Sequence, residues 1–208
     1  MQIKVKLSKM NITIRSFCVF FFLSLVGCST TPTTPLSVDW QQHQQALEKL
    51  QNYQVRGKLG YKDDKQRQSL NFLWKQNTQN SQLILTTFLG QTVLKMDIDE
   101  HGAKVVTRDD KTYHHASAEQ LVYQLTGLNI PFRNLSDWLK GLPTNADDFT
   151  LNPEQTVAQL FKSINSQQWQ LNYQAYEQTQ QLPLPNKMQL HQGATSLKIV
   201  ISNWTTNP

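Results

Sequence analysis

The alternation of apolar and polar residues that begins at Tyr53 constrains this 208-residue chain more than any other feature. In Tyr53-Gln54-Val55-Arg56-Gly57-Lys58-Leu59-Gly60-Tyr61-Lys62 the odd positions are apolar or glycine, and the even ones are mostly polar or charged. A period of two marks a strand with one buried and one wet face. The pattern returns at Leu70, Phe72 and Trp74 after the turn-like Asp63-Asp64-Lys65, then at Leu83 and Leu85, then at Leu94, Met96 and Ile98. His101-Gly102 and Asp109-Asp110-Lys111 read as tight turns around short strands at Lys104–Thr107 and Thr112–His114. Six strands with such short links form an antiparallel meander.

Helical spacing appears on either side of this meander. Asp39 can cap a helix from Trp40 to about Asn52, with Trp40, His43, Leu47 and Leu50 on one face. Ser117 can cap a second, striped with Ala118, Leu121, Val122 and Leu125 and ended by Gly127. Asn134 or Ser136 starts a third, carrying Leu135, Trp138 and Leu139 and stopped by Gly141 and Pro143. Strand patterns resume at Phe149–Leu151. Thr156–Ile164 fits either strand or helix. Trp169, Leu171, Tyr173 and Ala175 alternate, as do Met188 with Leu190, and Leu197, Ile199 and Ile201. The sum is one mainly β domain over 39–208, with about eleven antiparallel strands and three helices. A sheet of that width twists and curls instead of lying flat. The fold expected is therefore an antiparallel β-barrel or half-barrel, its helices covering an apolar cavity suited to an aliphatic ligand.

The first 27 residues read differently. Lys4, Lys6, Lys9 and Arg15 precede the apolar run Phe17–Val26, which is shorter than the ~20 residues a membrane span needs. This is the layout of a secretory signal. Leu25-Val26-Gly27-Cys28 sharpens it to a bacterial lipoprotein signal, with cleavage before Cys28 and acylation of its thiol. Residues 28–38 then form the lipid anchor and a proline-punctuated tether, whose ten extended residues reach ~30 Å. The chain's net charge of +5 mostly reflects this leader. Without those four cations, 16 basic residues face 15 acidic ones. That balance gives no argument for nucleic acid. With Cys18 removed and Cys28 acylated, no thiol is left for a disulfide, redox pair or metal site.

Catalytic patterns are not found. There is no Gly-x-Ser-x-Gly elbow, no His-Glu-x-x-His and no phosphate loop, and the adjacent His114 and His115 point to opposite faces of a strand. One segment departs from turn chemistry. Thr86-Thr87-Phe88-Leu89-Gly90-Gln91-Thr92 puts two large apolar residues where a hairpin turn should be polar. Either the strands run longer and Phe88 and Leu89 are core, or the two form a protruding apolar tip.

Several stretches together resemble the LolB family of outer-membrane lipoprotein receptors. They are Trp40-x-x-His43 with Leu47, Leu50 and Tyr53–Gly57; the Phe72–Trp74 strand; Leu89-Gly90; Thr126-Gly127-Leu128-Asn129-Ile130-Pro131 running into Leu135-x-x-Trp138-Leu139-x-Gly141-Leu142-Pro143; Trp169–Tyr173; and Leu197–Trp204. The resemblance implies an eleven-stranded incomplete barrel and no enzymatic activity or cofactor. It also implies a monomer on the periplasmic face of the outer membrane that takes acylated lipoproteins from the carrier LolA and delivers them to outer-membrane lipid. Leu89 matches the exposed leucine that the family needs for delivery; Phe88 stands where the family often has proline. Candidate residues for an acyl cavity are Leu70, Phe72, Trp74, Leu94, Met96, Leu121, Leu125, Trp138 and Leu139. Other readings of the same residues are a barrel binding phospholipid or lipopolysaccharide in another pathway, and a membrane-anchored hydrolase.

Overall fold

The computed structural model describes residues 37–126, 130–164, 166–179 and 182–206. The leader, Cys28 and the Gly127 helix stop lie outside the described residues. Helix α1 spans Trp40–Lys49 and is followed by β1 (Tyr53–Lys62), β2 (Arg67–Gln76), β3 (Ser81–Thr86), β4 (Thr92–Asp99), β5 (Gly102–Thr107) and β6 (Thr112–His115). Helices α2 (Ala118–Thr126) and α3 (Phe132–Leu139) come next. The chain then makes β7 (Asp148–Leu151), β8 (Val157–Ile164), β9 (Gln167–Gln178), β10 (Pro183–Gln192) and β11 (Thr195–Thr206).

All eleven strands belong to one antiparallel sheet, ordered β6-β5-β4-β3-β2-β1-β11-β10-β9-β8-β7. Consecutive strands are hairpin neighbours on both sides of a single long-range seam, where β1 pairs with β11. The sheet is an unclosed barrel with β6 and β7 as its free edges, and α2 and α3 carry the chain from one edge to the other. The alternating residues supply the core. Val55, Trp74, Met96, Val105, Leu171, Leu190 and Ile199 are among the buried residues of one continuous apolar cluster.

Local chemistry sets the ends of the elements. Asp39 caps α1 by accepting from the Gln42 amide at 2.9 Å. The helix ends before the expected Asn52. Leu50 leaves helical geometry (φ −78°, ψ 85°), and its carbonyl accepts from the buried Lys140 amine at 3.1 Å. The ambiguous segment at 156–164 is a strand because β7 and β9 pair with it on either side. The seam depends on Gly57, which sits at a register shift between β1 and β11. A β-carbon there would lie 2.1 Å from the Val200 carbonyl oxygen and 2.9 Å from the Phe72 ring.

His43 lies on the buried face of α1, its ring 6.3 Å from that of Trp40. Burial holds its pKa below the ordinary 6.5. The unfolded chain therefore binds a proton before the folded chain does, and stability falls as pH drops below about 6.5 until the lower folded pKa is passed. Thermal unfolding followed across pH 7.5 to 5 should show this loss. His43→Gln should remove part of it, whereas an unchanged slope in the variant would assign the loss to other groups.

Candidate functional site

An entirely apolar pocket lies between the sheet and α3. Leu59, Phe72, Trp74 and Leu83 line it from β1–β3, and Leu190, Leu197 and Ile199 from β10 and β11. Ile130, Phe132, Leu135 and Leu139 close it from the helical side. Its volume is about 70 Å³, room for a few water-sized groups. The β1–β11 seam builds it: Leu59 pairs with Leu70 on one side and Ile199 on the other. Two larger depressions, of about 440 and 450 Å³, lie over residues 75–99 and 97–116, and polar and charged residues are the majority around each.

The cover is held unevenly. At the C-terminal half of α3, the Tyr53 hydroxyl donates to the Ser136 carbonyl and the Tyr173 hydroxyl to the Trp138 carbonyl at 2.7 Å. Lys140 adds its bond to Leu50 and an ion pair with Asp137 at 3.0 Å. Burial pushes both tyrosine pKa values well above their usual value, so these donors stay protonated. The N-terminal turn is tied to α2 instead. Glu119 accepts from the Arg133 amide at 2.9 Å and pairs with the Arg133 guanidinium at 3.7 Å. That contact explains why α3 starts at Phe132, ahead of Asn134 or Ser136: its cap is a carboxylate from another helix.

The structure distributes the expected cavity residues over three environments. Phe72, Trp74 and Leu139 meet at the pocket. Met96, Leu121 and Trp138 are fully buried in the packed core, with the Trp138 indole donating to the Thr144 carbonyl at 3.0 Å. Leu70, Leu94 and Leu125 are half-buried, the last two packed against that core. The lining from Ile130, Phe132, Leu190, Leu197 and Ile199 was not singled out from the sequence. Its signal was the alternation already read as strands, together with Ile130 ahead of Pro131.

The second feature is the turn between β3 and β4. The Gly90 amide donates to the Thr87 carbonyl at 3.0 Å and the Thr87 amide to the Gln91 carbonyl at 2.8 Å, with Gly90 at φ +82°. This is a three-residue loop, a β-turn completed by one left-handed residue. The strands stop at Thr86 and Thr92, and Phe88 and Leu89 stand 86 % and 71 % exposed. Two other hairpins use the same bonding. Asp110 (φ 59°) completes Thr107–Asp110, and Gln155 (φ 63°) completes Asn152–Gln155. Their tips carry Arg108-Asp109 and Pro153-Glu154. The backbone geometry therefore does not require apolar residues at Phe88 and Leu89.

Solved proteins share this fold of an antiparallel sheet with helices over one face. A solved LolA superfamily protein from Nitrosomonas europaea superposes with a TM-score of 0.50 at 9 % identity, covering 83 % of this chain and 95 % of that one. A DUF1329 family protein from Desulfovibrio piger gives 0.54 at 10 % identity, over 81 % and 91 %. The family profile described as "Outer membrane lipoprotein LolB" matches residues 51–204, and the chain belongs to that family. The outer-membrane lipoprotein LolB of Vibrio cholerae is 47 % identical over 190 residues, 89 % of this chain and 93 % of that protein. That of Pectobacterium carotovorum is 36 % identical over 186 residues, 86 % and 90 % of the two chains.

Proposed function

We propose that this chain is an outer-membrane lipoprotein, held by a lipid on Cys28, that accepts acylated lipoproteins from the periplasmic carrier LolA and inserts them into the outer membrane. The observation that carries this reading is the combination of a wholly apolar pocket under α3 with an exposed two-residue apolar tip on the β3–β4 hairpin. Each acyl methylene buried is worth ~0.8 kcal/mol, so an acylated cargo needs an apolar host at every stage of its passage through water. The reading includes no enzymatic step or cofactor, and a monomer suffices: transfer runs toward the better apolar host, ending in the bilayer.

The pocket as it stands is too small for an acyl chain, so the cover must lift. Its anchoring favours one mode. The C-terminal half of α3 stays pinned to the sheet by Tyr53, Tyr173 and Lys140 while Ile130, Phe132 and Leu135 move away with α2. Opening there would extend the pocket from Phe72 and Trp74 toward Leu70 and Leu94.

The test uses the acylated chain in phospholipid vesicles, mixed with LolA loaded with a labelled lipoprotein and no nucleotide. Label should leave LolA and float with the vesicles. Label that stays on LolA at the rate seen with protein-free vesicles would sink the reading.

A further inference from the structure

Strand order separates the charges of this domain in a way that its near-neutral total conceals. Strands β10, β11, β1, β2 and β3 are contiguous in the sheet and contain none of the chain's 15 acidic residues. They carry seven basic ones: Arg56, Lys58 and Lys62 on β1, Arg67 and Lys75 on β2, Lys187 on β10 and Lys198 on β11. All seven are exposed and project from the outer face, because their strand partners alternate with the buried residues of the core. Among the described residues, none of them is within ion-pair distance of an acid.

The cluster is dense. Four strands at ~4.8 Å spacing and eight residue steps at ~3.4 Å place it within ~15 by ~27 Å. The Debye length is ~8 Å at physiological salt, so these fields overlap. Lys62 stands directly opposite Arg67, an arrangement that destabilises a sheet. The turn joining them holds Asp63 and Asp64, but Asp63 is engaged by the Tyr61 hydroxyl and the amides of Lys65 and Gln66. Val200, an exposed apolar residue in the middle of the patch, lies between Lys58 and Lys187 across the two neighbouring strands.

The position of the patch identifies its partner. Asn71 of β2 pairs with Thr86, the last residue of β3, and with Lys58. Lys58 and Lys187 are thus level with the base of the Phe88–Leu89 turn, and Lys62, Arg67 and Lys198 lie beyond it toward the tip. We infer that this outer face docks on an anionic phospholipid surface, laying β10–β2 against the headgroups while the adjacent tip enters the bilayer. The inference rests on the membrane anchoring proposed above. Each Lys or Arg near an anionic bilayer adds on the order of fivefold to association, from ~1 kcal/mol apiece. Three neutralised lysines should weaken docking on the order of a hundredfold.

The experiment measures how closely the face approaches the lipid. Val200→Cys, labelled with a donor fluorophore, is introduced into the acylated chain held in vesicles whose headgroups carry acceptor. Energy transfer should rise when phosphatidylcholine vesicles are replaced by phosphatidylcholine and phosphatidylglycerol at two to one. The rise should vanish at high salt and in the Lys58→Gln, Lys187→Gln, Lys198→Gln triple variant. Thermal unfolding of that variant should match the parent, and the salt response of the parent gives an independent reading if it does not. Transfer indifferent to phosphatidylglycerol overturns the inference. So does a triple variant that keeps the lipid response but no longer receives cargo, which would assign the face to an acidic protein. Energy transfer in the parent chain is read without cargo: a parent that fails in transport yet shows the lipid response would count against the transport reading alone.

Discussion

Leu89→Glu should leave cargo loading intact and stop cargo release into vesicles. Leu89 and Phe88 hold most of their surface in water at the end of a turn whose backbone needs neither of them. Moving one such side chain into an apolar phase is worth ~1.5–3 kcal/mol. The pair therefore supplies ~4 kcal/mol of membrane attraction, about a thousandfold in partition. A carboxylate at position 89 removes Leu89's share and adds a charge that resists burial. Release should fall on the order of a hundredfold or more, by the same arithmetic. Because Leu89 is not part of the pocket lining, the loaded complex should accumulate. Flotation separates the two steps, since cargo would stay with the variant and fail to mix with vesicle lipid. Phe88→Ala should show a smaller release defect of the same kind. Release by Leu89→Glu at the parent rate would exclude the tip from delivery.

The division between what could and could not be read from the sequence follows the range of the interactions. Tyr53–Lys62, Phe72–Trp74 and Trp169–Tyr173 announced themselves because a strand with one buried face must alternate, and that rule acts residue by residue. The α1 cap at Asp39 is equally local. The start of α3 was not, because Glu119 satisfies its first turn from 14 residues upstream. The pocket shows the same limit. Candidates such as Leu94, Met96 and Leu121 lie on β4 and α2, which follow β2 in the chain, whereas Leu190, Leu197 and Ile199 of the pocket lining come from β10 and β11. Only the β1–β11 seam brings positions near 59 and 199 together. The basic face depends on that seam too. Arg56 to Lys75 and Lys187 to Lys198 are separated by more than a hundred residues and are unremarkable in either place. Pairing makes them neighbours, and net charge averages them away.

Leu135→Glu should produce the complementary defect, with cargo acceptance lost and the tip and the outer face unaffected. Leu135 lies in the first half of α3, faces the pocket and is only partly buried, so a longer polar side chain can turn toward solvent without breaking the core. An ionised carboxylate at the rim of a pocket with an otherwise apolar lining must nevertheless be desolvated whenever an acyl chain enters, which costs ~2 kcal/mol or more. Affinity for acylated cargo should fall at least about thirtyfold. Leu135→Met, which conserves volume and polarity, should bind as the parent does. The two glutamate variants then fail at different steps. The Leu135 variant leaves label on LolA, and the Leu89 variant holds the label and does not pass it on. Mixed in one vesicle preparation they should not restore transfer, because one molecule must both receive and deliver. Restoration would mean that cargo passes between copies of this chain, and would place reception and insertion on separate molecules.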